Sequence, residues 1–262
     1  MKRKKVALVL SAGNAPGFSH VGILTMLERF KIPIDLVIGC SMGALVGGIY
    51  CAGKLKEFRK EILNMDKRQT YRLFIAKPSI FGAVHHEKIE TFLNKFIENK
   101  RIERLKKKYT CVALDLVSGN KIIFREGDLI KAILASISIP GFFVPIKKGK
   151  QLMVDIGYFD PLPVDLAKEI CPSCHVIAVD VHERKYKIKP GVIPNIFETF
   201  RRLLSIGQKI MVGDKEKGAD ILIKPKTNVG GFQYHRAEEA IMAGEEAVLL
   251  KIPQIKKELG LV

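Results

Sequence analysis

Two short apolar runs near the start of the chain set its architecture. "KVALVLSAG" reads as a buried strand entering a turn of small residues, and "IPIDLVIGC", introduced by Pro33, reads as a second one. Between them "FSHVGILTMLERFK" places Val21, Leu24 and Leu27 at helical spacing, with Ile23 and Phe30 less regular. After the second run, "MGALVGGIYCAG" is a small-residue helix ending near Gly53. Strand, helix, strand, helix requires right-handed crossovers and a parallel sheet.

The same logic carries along the chain. The region from Lys54 to Lys108 is helical, polar and Lys-rich, interrupted by Pro78, Gly82 and the loop "FGAVHHEK". "YTCVALDLVSGNKIIFRE" predicts two strands around the turn "SGN". "DLIKAILASISIPGFF" starts as a helix with an Asp near its beginning and must end near Pro140. A strand in "KQLMVDIG", a helix in "LPVDLAKEI" and a strand in "HVIAVDV" follow, then an amphipathic helix, a strand in "ADILIKP" and a final helix. With 262 residues and no internal repeat or long linker, residues 1–262 are expected to form one α/β domain with a mostly parallel central sheet.

The N-terminus imitates a secretory signal, because "MKRKK" precedes an apolar run. That run, from Val6 to Leu10, is too short for a signal core of roughly 7–15 residues. The five cysteines are odd in number and scattered, which argues against a disulfide framework and for a reducing, cytoplasmic location. Lys and Arg outnumber Asp and Glu by 44 to 27, a formal charge of +17 that attracts polyanions. The charge is dispersed, so it does not by itself choose a partner.

The stretch "DLVIGCSMGALVGGIYCAGK" carries the chemistry and admits three readings. From Leu36 to Gly53 it has 18 uncharged residues, near the lower limit for a membrane span. Five of them are glycines, and the segment sits inside the strand–helix alternation, so a buried strand plus helix fits better. Gly48 to Lys54 imitates a phosphate loop, but Leu55 stands where Ser or Thr must hold magnesium. "SAGNAPG" likewise fails the dinucleotide-binding pattern. In the third reading Ser41, within G-x-S-x-G, sits at a strand-to-helix turn that lifts its hydroxyl out of the sheet. Gly39 and Gly43 relieve crowding around it, and the helix N-terminus favours developing negative charge. A serine nucleophile needs a base. Histidines 175, 182 and 235 are the candidates in a conventional esterase order.

Three segments together resemble the patatin-like phospholipases: "LVLSAGNAPGFSHVGIL", "IDLVIGCSMGALVGGIYCAG" and "ASISIPGFFVPIKKGKQLMVDIGYFDPLPVDLA". The resemblance implies a three-layer α/β/α fold and a Ser–Asp dyad without a catalytic histidine. Ser41 would be the nucleophile, and Asp155, in Asp155-Ile156-Gly157, the base. Backbone N–H groups at Gly13 and Asn14 would hold the oxyanion. The first turn departs from the family pattern G-G-G-x-[RK]-G, with Ala12, Asn14 and Pro16 in place of two glycines and a basic residue. Asn tolerates positive φ, whereas Pro16 removes a backbone donor.

The resulting expectation is a serine lipid acyl hydrolase acting on phospholipid or another lipophilic ester through an acyl-enzyme. No metal, cofactor or nucleic-acid partner is implied, and contact with anionic membranes is left open. The helical region of about 54–108 could supply a lid or cap. Two alternatives stand: a Ser–His–Asp esterase using His182 or His235, and a non-catalytic lipid-binding protein, favoured by the altered turn. Other features read more simply. "CPSC", from Cys171 to Cys174, is taken as a structural loop, and His85 and His86 as a surface loop. The amphipathic helix from Phe197 to Met211 carries Phe200, Leu203, Leu204 and Ile210, and its polar face with Arg201, Arg202 and Lys209 could lie on a membrane, core packing being its default role.

Overall fold

The computed structural model describes residues 3–74, 86–182, 191 and 193–261. In chain order the elements are β1 (Val6–Leu10), α1 (Ser19–Arg29), β2 (Leu36–Cys40), α2 (Met42–Cys51), α3 (Leu55–Asn64), α4 (Lys67–Phe74), α5 (Glu87–Ile97), β3 (Lys108–Asp115), β4 (Lys121–Phe124) and α6 (Leu129–Ser136). They continue as β5 (Ile146–Lys148), β6 (Gln151–Val154), α7 (Val164–Ile170), β7 (His175–Val179), α8 (Ile196–Glu216), β8 (Ile221–Ile223) and α9 (Ala237–Leu259). Short 3-10 turns cover Ala15–Phe18, Ile102–Arg104 and Tyr234–Arg236.

The described strands make one sheet. Pairing passes β5-β6-β3-β2-β1-β7-β8, and β4 is a further partner of β3. β1 pairs in parallel with β2 and β7, β2 with β3, and β7 with β8. The centre is thus the parallel sheet expected from the alternation. β1 is buried at every residue, as a strand covered on both faces must be. Its side chains alternate between two cores. Val6, Leu8 and Leu10 join α1, α2 and α9 on one face, while Ala7 and Val9 meet Leu166 and Ala167 of α7 and Val212 of α8 on the other. That alternation gives three layers.

The β5–β6 pairing was not foreseen from "FFVPIKKGK", and it positions the site. Val112 pairs with both Cys40 of β2 and Ile123 of β4, so β2 and β4 take opposite edges of β3. Leu114 pairs with both Lys121 of β4 and Val154 of β6, so β6 also lies opposite β4. β2 and β6 therefore share one edge of β3 and approach end to end. β2 stops opposite Val112 and β6, running antiparallel to β3, stops opposite Leu114. The residues that follow them, Ser41 and Asp155, are brought together from opposite directions.

The helical layer is fitted by contact between backbones. A Cβ on Gly22 of α1 would lie 2.0 Å from the Ile241 carbonyl oxygen, and one on Gly244 of α9 would lie 2.1 Å from that of Ser19. Nothing lies within 4 Å of such an atom on Gly207 of α8. Gly22→Ala and Gly244→Ala are each expected to destabilise the fold by about 1–3 kcal/mol. Gly207→Ala should stabilise it by up to about 1 kcal/mol through helix propensity. Urea unfolding of the three variants checks the contrast.

Candidate active site

The serine elbow begins with packing. A Cβ on Gly39 would stand 2.5 Å from the Ala44 Cα and nitrogen, and one on Gly43 2.3 Å from the Leu10 carbonyl oxygen. Only glycine fits at either position, and its absence of side chain lets α2 start hard against β1 and β2. Between the two glycines Ser41 is forced to φ 53° and ψ −121°. A non-glycine residue held there stores strain of order 1–3 kcal/mol, a frequent property of functional positions. The Ser41 N–H donates to Ser136 Oγ at 3.0 Å.

Asp155 faces this serine. Its side chain is 4% exposed, its N–H donates to the Ser138 carbonyl oxygen at 2.9 Å, and its Oδ1 accepts the Gly157 N–H at 2.7 Å. The Ser41 hydroxyl is close enough to the Asp155 carboxylate to favour its ionised form. Burial pushes the Asp155 pKa up to about 6, against the opposing pull of the Ser41 hydroxyl and the Gly157 N–H. The carboxylate is thus a stronger proton acceptor than one in water, while staying ionised at neutral pH. Gly157 is required: a Cβ there would sit 2.8 Å from Asp155 Oδ1 and 2.9 Å from Ala12 Cβ.

One segment, 136–138, holds both partners, and the sequence reading passed over it. Ser136 fixes Ser41, and the Ser138 backbone fixes Asp155. Ser138 Oγ donates to the Leu134 carbonyl at 2.5 Å, which leaves it to accept from His86 Nε2 at 2.8 Å. His86 is buried and stacks on Phe143 with 5.1 Å between ring centroids, which corrects its assignment to a surface loop. His85 lies outside the described residues. The signal in sequence was the pair of hydroxyls at alternate positions in the apolar run "ASISIPG".

The first turn lies above the C-terminal ends of β1 and β7. Ser11 N–H donates to the Val179 carbonyl at 3.1 Å, Ala12 N–H to Pro161 at 2.9 Å and Ala15 N–H to Gly231 at 3.0 Å. His20 is fully buried, and burial lowers its pKa to about 4, so the ring is neutral and its Nε2–H donates to the Ser11 carbonyl at 2.9 Å. Asn14 adopts φ 47°, as its side-chain type permits. The Gly13 and Asn14 N–H groups donate to no carbonyl among the described residues. Pro16 falls in the first turn of the 3-10 segment, where a backbone donor is dispensable. Gly13 is tightly seated, since a Cβ would meet Val181 Cγ2 at 2.3 Å.

The three candidate histidines have other surroundings. His182 Nδ1 lies 2.6 Å from Asp180 Oδ1. Burial pushes the Asp180 carboxyl up, but the His182 hydrogen bonds and charge outweigh it and hold the group below the usual range. His175 lies at the start of β7, the end remote from Ser41, with Nε2 2.9 Å from Glu258. His235 is exposed. Among the described residues no group of three or more His, Cys, Asp or Glu side chains could hold a metal ion, and no helix is long and apolar enough to cross a membrane. Cys171 and Cys174 are joined in a disulfide, a departure from the expectation of reduced cysteines.

Fold and site thus define an α/β protein with a strained serine elbow beside a buried carboxylate. The sequence model of the patatin-like phospholipases matches residues 8–168, and the chain belongs to that family. It is similar to an uncharacterized NTE family protein of Mycobacterium tuberculosis (strain ATCC 25618 / H37Rv), 38% identical over 160 residues, covering 61% of this chain and 44% of that one. It is also similar to lysophospholipase NTE1 of Candida albicans (strain SC5314 / ATCC MYA-2876), 31% identical over 191 residues, covering 69% of this chain and 13% of that one. The chain therefore spans under half the length of these curated relatives. Among solved structures, VipD from Legionella pneumophila has a TM-score of 0.49 at 15% identity, covering 99% of this chain and 67% of that one.

The strain at Ser41 has a measurable consequence. Ser41→Gly should be more stable than Ser41→Ala by about 1 kcal/mol, because only glycine adopts that backbone without strain. Equal midpoints in urea would show that the elbow is relaxed.

Proposed function

We propose that the chain is a serine lipid acyl hydrolase, with Ser41 as nucleophile and Asp155 as base. The observation that carries this reading is the juxtaposition of a strained, buried serine with a buried carboxylate whose basicity is raised by desolvation. Ser41 Oγ attacks the ester carbonyl carbon while Asp155 takes the hydroxyl proton. The carbonyl oxygen becomes an oxyanion, which the Gly13 and Asn14 N–H groups and the α2 N-terminus stabilise. Collapse breaks the ester C–O bond, and the leaving alcohol takes the proton from Asp155. Water then attacks the acyl-serine, gives its proton to Asp155, and releases the fatty acid as Ser41 regains a proton. Every proton is accounted for by one carboxylate.

The family description and the name of the Candida relative support phospholipid or lysophospholipid as the substrate class. The single sheet carrying both residues supports 1–262 as one catalytic unit. The helical segment of about 54–108 is the proposed cap. Its support is that Phe74 stacks on Tyr234 at 4.8 Å between centroids and meets Phe18 edge-on at 5.6 Å.

Asp155→Asn should lose about 10²–10⁴-fold in kcat while remaining folded. The base must be ionised and its pKa is raised to about 6, so kcat/KM is expected at full value above that pH and to fall about tenfold per unit below it. Steady-state kinetics on a soluble short-chain ester between acid and neutral pH read both effects. His182→Ala and His235→Ala should keep the acid limb; its loss in either would favour the histidine-based alternative.

A further inference from the structure

The α8 helix has two unlike faces. On one, Gln208 Nε2 donates to the Gly157 carbonyl at 2.7 Å, Val212 is 4% exposed, and Lys215 pairs with Asp165. At about 100° per residue these positions form one stripe, and it lies on the loop that carries Asp155. Leu203, Ile206 and Ile210 form a second stripe on the opposite side. They are 61%, 39% and 60% exposed. This corrects the expectation of core packing for Leu203 and Ile210; the side chains of Phe197, Phe200, Arg201 and Leu204 lie outside the described residues.

A single exposed leucine needs no explanation, but an apolar stripe at helical spacing does. A strip holding Arg202 and Lys209, seven residues apart, runs beside it. The acidic groups near the end of the helix are already matched, Asp214 by Lys217 and Glu216 by Lys224. An exposed apolar stripe flanked by cations is the pattern of a helix that lies in a lipid interface. A second copy of the chain fits it poorly, since it would bring another +17 molecule and its own Arg202 and Lys209 against the same strip.

We propose that the outer face of α8, formed by Leu203, Ile206 and Ile210 and bordered by Arg202 and Lys209, docks on an anionic lipid surface. The proposal extends the lipid-hydrolase reading, for it names how that site meets aggregated substrate. Because Gln208 ties the inner face of the helix to Gly157, docking brings the Asp155 loop to about one helix diameter, 10–12 Å, from the lipid.

Flotation with vesicles tests the docking without chemistry. Full-length Ser41→Ala protein is mixed with vesicles of equimolar phosphatidylcholine and phosphatidylglycerol, or of phosphatidylcholine alone. It should float with the anionic vesicles and much less with the neutral ones. Adding Leu203→Ser and Ile210→Ser should cut the bound fraction about tenfold or more. In the background with Ser41 intact, the same pair should leave the melting temperature and soluble-ester turnover unchanged. Undiminished flotation of the substituted protein, or no flotation of the parent, overturns the proposal. So does a parent dimer that the two substitutions turn into a monomer. Absent ester turnover alongside normal, Leu203- and Ile210-dependent flotation would defeat the hydrolase reading alone.

Discussion

The close approach of Gly43 to the carbonyl of Leu10 is the contact on which the site depends. It puts the first turn of α2 directly over the end of β1. From there Ser41 is pressed into a positive-φ backbone conformation at the start of the helix. A methyl group at residue 43 would push the helix away from the strand. The elbow and its strain would relax together. Burial of the surrounding side chains, at about 1.5–3 kcal/mol for each large aliphatic, holds the strain in place.

The second determinant is the meeting of β2 and β6 along one edge of β3. A purely parallel sheet would deliver its strand ends to one side and leave the carboxylate to come from a loop. Here an antiparallel strand arrives from the other direction, so Asp155 is anchored by its own backbone to Ser138 and by its side chain to Gly157. The resulting desolvation makes the carboxylate more basic than one in water. His182 is engaged by Asp180 nearby.

Much of this was legible in the residues themselves. G-x-S-x-G between an apolar run and a small-residue helix names the elbow, because glycines at those two spacings have one physical use there. Asp155 was legible only by resemblance, since nothing local distinguishes it from Asp160 or Asp180. The end-to-end strand meeting was not legible at all. It depends on the register of β3 with three partners, and β5 is a three-residue strand in a stretch that reads as loop. Ser136 and Ser138 were passed over because hydroxyls at a helix end usually face water. The altered turn looked weaker in sequence than in space, where Asn14 takes the positive φ and Pro16 occupies a position that needs no donor. The exposed face of α8 defeated the rule that amphipathic helices turn their apolar side inward, a rule that holds only when a core lies there to receive it.

The central claim is that Ser41 forms a covalent acyl intermediate with help from Asp155. Intact-mass spectrometry after brief exposure to an alkyl fluorophosphonate, with peptide mapping of the adduct, tests it most directly. The account predicts one phosphonyl group on Ser41 in the wild type, no adduct in Ser41→Ala, and much slower labelling in Asp155→Asn. An unlabelled wild type, an adduct on another residue, or equal labelling rates with and without the carboxylate would contradict it.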